Sequence, residues 1–285
     1  MILVTGSTGN TGKSAASALQ HRGAEFICGV RNPEKAGILQ EQGIPIVEFD
    51  FLNPKTYGKA LENVESFFLI RPPAISNVQR DLVPFLQTAK QAGVKRIVFL
   101  SVQGAEKNTV IPHAKIEKQI ADMGFEYVFL RPSFFMQNLI HPHGPEIRQD
   151  DEIYVPAGDG KTNFIDAKDI GEAAAEILIS GDYANEGIEL TGTECFSYYE
   201  VADILSIELG RSIKYPKPGF FRFIFRKIKE GTKPGFALVM GLLYSAARLG
   251  KACNTTSDLE KILQRKPKGL REFIHEHREE WEKAV

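Results

Sequence analysis

Residues 1–20, MILVTGSTGNTGKSAASALQ, decide how the rest of the chain is read. Ile2, Leu3 and Val4 form a short apolar run of the kind buried on both faces of a parallel sheet. Gly6, Gly9 and Gly12 follow at a spacing of three, and residues 13–20 are helix formers with Ala15, Ala18 and Leu19 on one side. A strand, a glycine turn and a helix in that order make an anion cradle. Backbone N–H groups of the turn and of the helix's first turn point at a phosphate, and the helix dipole adds about half a positive charge there. The glycines permit a tight turn, close approach of the backbone to a pyrophosphate and close packing of helix on strand. The competing nucleoside-triphosphate loop would need a glycine at position 7 ahead of Gly12-Lys13-Ser14, and Ser7 stands there.

With 285 residues and a hydrophobic fraction of 43%, the chain suits one large domain, or one domain with a smaller lobe. The net charge of −1 points to no particular partner. The longest apolar stretch, 236–247, is about half of the roughly 20 residues that span a bilayer. The chain opens on a strand rather than on a charged-then-apolar leader. Cys28, Cys195 and Cys253 match neither a disulfide framework nor a zinc spacing. The expectation is a soluble cytoplasmic protein with reduced cysteines, no metal and no membrane partner.

Further along, apolar runs at 26–30, 45–49, 65–70, 96–100 and 125–130 alternate with helical patterns, one of them running unbroken over 76–92. That rhythm predicts a doubly wound parallel sheet with ligands at the carboxyl ends of its strands. The second strand ends in Arg31-Asn32-Pro33, where an acidic residue would bind the ribose 2′-OH of NAD and an arginine suits the 2′-phosphate of NADP. Arg31, a planar and permanently charged fork, favours NADP(H) over NAD(H). Asp50, at the end of the third strand, either accepts a hydrogen bond from adenine or caps the turn that follows. Prolines 72 and 73 stiffen the backbone where it would pass the adenosine half of a dinucleotide. On the helix beginning at Pro112, His113 and Glu117 are four apart and share a face, with Lys115 on another.

The loop to about residue 160 is polar and rich in Pro, Gly and His, as befits a cleft rim. Residues 188–191 read as one more strand, and beyond about 195 the character shifts to a mostly helical lobe, opened by a capping box of Ser197 and Glu200. The expected division is therefore 1–194 for the dinucleotide domain, with 139–160 as the rim of the cleft, and 195–285 for the lobe. Within 211–233, eight Lys or Arg face one Glu and interleave with Phe220, Phe221, Phe223 and Phe225. Such a stretch is either a basic-aromatic surface for an anionic ligand or a packed lobe with a solvated basic face, and the second is the simpler reading.

TGSTGNTG at the N-terminus, VRNP after the second strand, FDFLNP after the third, LRPSFFMQN after the sixth and LQRKPKGLREFI near the end together resemble the NmrA-like, atypical short-chain dehydrogenase/reductase family. The resemblance spans nearly the whole chain. It implies a Rossmann domain with bound NAD(P) and a smaller substrate lobe. By position, Gly6, Ser7, Thr8, Gly9, Asn10, Thr11 and Gly12 would form the pyrophosphate turn, and Arg31 would meet the 2′-phosphate. Asp50 and Phe51 would adjoin the adenine, Ile70 and Arg71 the ribose, Ser101 and Val102 the nicotinamide side, and Pro132, Ser133 and Phe134 the ring.

The wider superfamily carries a Tyr, and a Lys four residues later, on the helix after the fifth strand. In this chain those places hold His113 and Glu117. A histidine titrating near neutrality could replace the missing acid, Lys115 is a second candidate, and the pair could equally serve only to orient the cofactor or one another. The expectation is an NADPH-dependent oxidoreductase that passes hydride to a small electrophile such as a quinone, held by a lobe lined by Phe134, Phe135 and Met136. The alternative is a non-catalytic NADP(H) redox sensor. A sugar-nucleotide epimerase is disfavoured by the missing Tyr/Lys pair, and direct nucleic-acid binding by the near-zero charge. A monomer or a homodimer fits either expectation.

Overall fold

A computed structural model describes residues 1–283, with Lys35 described for its backbone alone. The chain runs β1 (Ile2–Val4), α1 (Asn10–His21), β2 (Phe26–Val30), α2 (Gly37–Glu41), β3 (Ile46–Glu48), α3 (Tyr57–Ala60), β4 (Ser66–Leu69), α4 (Val78–Asp81), α5 (Val83–Gln91), β5 (Arg96–Leu100), α6 (Pro112–Asp122) and β6 (Glu126–Pro132). It continues through β7 (Phe134–Phe135), α7 (Gly144–Gln149), β8 (Lys161–Ile165), α8 (Ala167–Ser180), β9 (Glu186–Leu190), β10 (Cys195–Ser197) and α9 (Tyr198–Leu209). The last elements are α10 (Phe220–Lys229), α11 (Pro234–Arg248), α12 (Asp258–Leu263) and α13 (Leu270–Glu276).

Two compact units form. The first contains Met1–Pro132, Ala167–Leu190 and Asp258–Arg265; the second contains Ser133–Asp166, Thr191–Ser257 and the residues from Lys266 on. The segment 133–166 belongs with the second unit because its strands β7 and β8 pair there, β8 with β10. A boundary placed at 195 alone does not describe that exchange.

In the first unit seven strands pair in the order β3-β2-β1-β4-β5-β6-β9, every pair parallel. This is the doubly wound sheet expected from the alternation of strands and helices. The order reverses between β1 and β4, which opens a crevice at their carboxyl ends. One face of the sheet is sealed by Phe67, Phe85, Phe99, Leu86 and Ile116, all fully buried. Elsewhere in the unit α1 crosses α8 so closely that a Cβ on Gly171 would lie 2.6 Å from the Thr11 carbonyl, and Ser14 Oγ donates to the Lys168 carbonyl at 2.7 Å. The helix expected over 76–92 is two: the backbone breaks at Leu82, with φ −121°, and Pro84 sits in the first turn of α5, where a missing N–H costs nothing.

In the second unit a small sheet, β10-β8-β7, lies on a core of Phe164, Tyr198, Leu205, Phe223, Phe273 and Trp281. The capping box opens α9 as read: Ser197 Oγ accepts from the Glu200 N–H, and the Glu200 carboxylate accepts from the Ser197 N–H. Among the described residues no helix is long and apolar enough to cross a membrane.

The cysteines depart from the reduced state expected of them. Cys195 and Cys253 are joined by a disulfide with their Cα atoms 5.6 Å apart, and only Cys28 is free, buried in β2. The two partners are 58 residues apart, so no short spacing signals the bond, and the cysteines give no support to a reducing compartment. Closing a loop of that length stabilises the fold by about 4 kcal/mol in the chain-entropy model. Cys253→Ser is therefore expected to lose about 2–4 kcal/mol in denaturant melts. Dithiothreitol should lower the wild-type midpoint by the same amount and leave the variant unmoved.

Candidate functional site

The crevice between β1 and β4 is where the sequence motifs converge. Gly6 holds φ +61°, and a Cβ there would come 2.9 Å from the side chain of Ile70, so the turn after β1 presses on the end of β4. A Cβ on Gly12 would fall on the Gly6 carbonyl, and the Gly9 N–H donates to that carbonyl at 3.0 Å. Gly9 is the N-cap of α1; it supplies no side chain, and the first turn carries no acidic residue. The N–H groups of Asn10, Thr11 and Gly12 therefore have no acceptor within the helix. Thr8, Gly9 and Asn10 are exposed at the tip of the turn. Ser7 points the other way, fully buried, its hydroxyl donating to the Gly29 carbonyl at 3.0 Å. It anchors the turn to β2.

Around this turn the other sequence-derived residues separate by what their side chains do. Arg31 is exposed and makes no ion pair among the described residues. Asp50 accepts the Leu52 N–H at 2.9 Å through Oδ1, so one oxygen caps the turn. Phe51 is a core side chain, edge-on to Phe49 and Phe85, and its carbonyl accepts from the Tyr57 hydroxyl at 2.5 Å. Arg71 gives its Nη1 to the carbonyls of Pro72, Pro73 and Ile75, while its buried Nε has no protein acceptor. Burial lowers the pKa of that guanidinium.

His113 stacks on Phe99 of β5, with ring centroids 6.0 Å apart. Burial, reinforced by the positive charge of Arg71, pushes its pKa down to about 4. At neutral pH the ring is therefore uncharged. It offers an N–H as a hydrogen-bond donor but no imidazolium proton, which removes the reason for reading it as a near-neutral acid. In the unfolded chain the same histidine titrates near 6.5. Its contribution is fully present above pH 6.5 and is lost as the pH falls towards 4, a change on the order of 3 kcal/mol. His113→Gln is expected to flatten the acid limb of stability over that window, as read from urea midpoints at pH 4 to 7.

Glu117 is committed elsewhere. Its carboxylate accepts from Arg131 Nη2 at 2.7 Å, from Arg131 Nε at 3.1 Å and from Ser101 Oγ at 2.5 Å. Arg131 also lies 3.4 Å from Glu106 and covers Gly187 of β9, where a Cβ would sit 2.7 Å from the guanidinium. The sequence marks Arg131 only as a charge inside the apolar strand FLRP, a signal that calls for a buried partner. Glu117 is that partner. Lys115 is exposed and lines a groove of about 560 Å³ with Ser76, Asn77 and Lys118, apart from His113 and Glu117.

Val102 is half-buried after β5, and the Gln103 N–H donates to the carbonyl of Pro132 at the end of β6. Ser133, in the second unit, donates to Asn163 Oδ1 at 2.7 Å, and Phe134 packs against Tyr244 at 5.6 Å. Phe134 and Phe135 are half-buried, but Met136 is a buried core side chain and lines nothing. The same unit buries a network with no signal in the sequence, because Lys227 and Tyr244 lie far along the chain from His143 and Glu146. His143 bridges Glu146 and Tyr244, and Glu146 also accepts from Lys227 at 2.7 Å.

Free N–H donors on a helix start, no carboxylate beside them, an unpaired arginine at the end of β2 and an orphaned guanidinium N–H at the end of β4 suit a ligand with a pyrophosphate and a further phosphate. The model of the NmrA-like family matches residues 1–274. Prestalk A differentiation protein A of Dictyostelium discoideum is 30% identical over 280 residues, covering 96% of this chain and 91% of that protein. NAD(P)H azoreductase of Xenophilus azovorans is 30% identical over 281 residues, covering 97% and 98%. The crystal structure of the NADPH-dependent quinone oxidoreductase of Escherichia coli complexed with NADPH superposes with a TM-score of 0.89 at 25% identity, covering 97% of this chain and 99% of that one.

Proposed function

Because this chain belongs to the NmrA-like family, we propose that it is an NADPH-dependent oxidoreductase that reduces a small conjugated electrophile of the quinone or azo class. The observation that carries the reading is the uncapped, carboxylate-free start of α1 at the sheet's switch point, with the unpaired Arg31 at the end of the neighbouring strand. The names of the azoreductase and of the quinone oxidoreductase support the chemistry.

In this reading Gly6, Thr8, Gly9, Asn10, Thr11 and Gly12 hold the pyrophosphate through backbone N–H groups, while Ser7 fixes the turn from below. Arg31 takes the 2′-phosphate. The free oxygen of Asp50 and the backbone of Phe51 flank the adenine. Ile70 and the Nε of Arg71 flank the ribose, and Ser101, Val102 and Pro132 border the nicotinamide. Bound NADPH supplies a hydride equivalent, and the protein's share is orientation and exclusion of water. Neutral His113 donates a hydrogen bond to the acceptor oxygen. A hydroquinone anion is weakly basic, so no Tyr/Lys pair is needed. Lys115 and Glu117 have no part in the chemistry. The second unit, which carries Ser133, Phe134 and Phe135, is the substrate lobe.

A second reading, a dinucleotide sensor, is favoured by one observation: the carboxylate at the superfamily's lysine position is locked in the Arg131 pair. Steady-state oxidation of NADPH, followed with a panel of quinones and azo dyes, separates the two. The enzyme reading expects oxidation well above background with at least one acceptor. Tight NADPH binding with background rates throughout would leave only the sensor.

A further inference from the structure

The helical hairpin of α10 and α11 turns an apolar face to solvent. On α10, Phe221 (84% exposed), Phe225 (73%) and Ile228 (41%) follow at i, i+4 and i+7, one stripe along the helix. The opposite stripe is the packed one, with Phe223 fully buried and Lys227 held by Glu146 and Glu230. On α11, Phe236, Leu238, Val239, Leu242 and Leu243 are all about half exposed or more, and no charged residue stands between Pro234 and Ala247. The helices cross closely at Gly241, where a Cβ would lie 2.8 Å from the side chains of Phe220 and Ile224. The hairpin is thus ordered by its inner face while its outer face has no cover, and a contiguous apolar patch of this kind marks an interaction surface.

The charge around the patch decides what covers it. From 211 to 257 the chain has ten Lys or Arg and a single acid, Glu230. Arg211, Lys217, Arg226 and Lys227 are paired with carboxylates. Lys214, Arg222, Lys229, Lys233, Arg248 and Lys251 are exposed, and among the described residues they have no ion-pair partner. Arg222 and Lys229 form the stripe beside Phe221 and Phe225, and Lys233 stands at the turn between the helices. A second copy docked by a two-fold axis would bring these cations against one another, which disfavours self-association. An anionic lipid surface answers both features: phenylalanines and leucines enter the acyl boundary while lysines and arginines meet the headgroups.

We propose that the α10–α11 hairpin docks this protein on anionic lipid bilayers, as a peripheral surface rather than a span. The proposal does not rest on the oxidoreductase reading. It revises the simpler sequence reading of the 211–233 stretch: Phe223 packs the lobe, but Phe221 and Phe225 do not.

The test is flotation of the full chain with vesicles of phosphatidylcholine alone or mixed equally with phosphatidylglycerol. The wild type is expected to float with the anionic vesicles, to stay behind with the neutral ones, and to dissociate as salt is raised. The double variants Phe221→Ser/Phe225→Ser and Arg222→Glu/Lys229→Glu should each weaken partitioning by roughly tenfold or more, with thermal melts unchanged because all four side chains are exposed. If the phenylalanine variant melts differently, Leu242→Ser/Leu243→Ser reads the same face from α11. Absence of flotation with anionic vesicles, or flotation undiminished in both double variants, would overturn the proposal. So would a dimer in analytical ultracentrifugation that dissolves in the phenylalanine variant, because that would assign the face to a second copy.

Discussion

Replacing Glu117 with alanine is expected to destabilise the protein by about 3–5 kcal/mol, a larger loss than any substitution at the glycine turn's exposed tip. Arg131 is 15% exposed and Glu117 8%, so removing the carboxylate strands a guanidinium in a place where water cannot replace the lost partner. Glu106, at 3.4 Å and 30% exposed, is a weaker substitute. Ser101 loses its acceptor as well, and it stands at the end of β5, where the chain turns into the site. Glu117→Gln keeps the shape and two acceptor lone pairs and should cost less, about 1–3 kcal/mol. Urea melts measure the stability, and turnover scaled to the folded fraction measures the chemistry. Both variants are expected to lose stability and to keep turnover per folded molecule. A variant that melts like the wild type yet loses turnover would return Glu117 to the reacting group.

Arg31→Ala is expected to weaken NADPH binding by about 10- to 100-fold and to leave NADH within about twofold. The two cofactors differ only in the 2′-phosphate, so a residue that contacts nothing else discriminates by that difference alone. The exposure of Arg31 makes the contact sensitive to salt, and the preference for NADPH should narrow as ionic strength rises. Fluorescence titrations of both cofactors at low and high salt supply all the quantities needed. An equal loss for NADPH and NADH would mean that Arg31 holds the turn rather than the phosphate.

Much of the first unit was legible because its signals are local. Strand β2 falls at Phe26–Val30 as read, and the turn from Gly6 to Gly12 keeps the geometry that its spacing implies. The helix split at Leu82 was also written locally, in Pro84, and the apolar periodicity running through it concealed the break. What could not be read depends on distant partners. Glu117 looks like a catalytic position until Arg131, on the strand that follows its helix, is seen to occupy it. Cys195 and Cys253 look unrelated until the second unit folds. His113 carries a neutral-range pKa in any sequence reading, and only its burial against Phe99 beside Arg71 moves it. Helix α10 shows the opposite case: its alternation of phenylalanine and basic residues was visible, but which aromatics face inward is decided by Glu146 and Gly241, far away in the chain.

Whether the dinucleotide proposed to bind at the β1–β4 crevice reacts is tested most directly by a single turnover. Protein loaded with an equal amount of NADPH is mixed in a stopped-flow instrument with a quinone that the steady-state panel selects, and absorbance at the nicotinamide band is followed while hydroquinone is quantified. An NADPH-dependent reductase loses the band and forms one hydroquinone per NADPH consumed, in the wild type and in Glu117→Gln alike. A band that persists while NADPH is demonstrably bound would contradict that function.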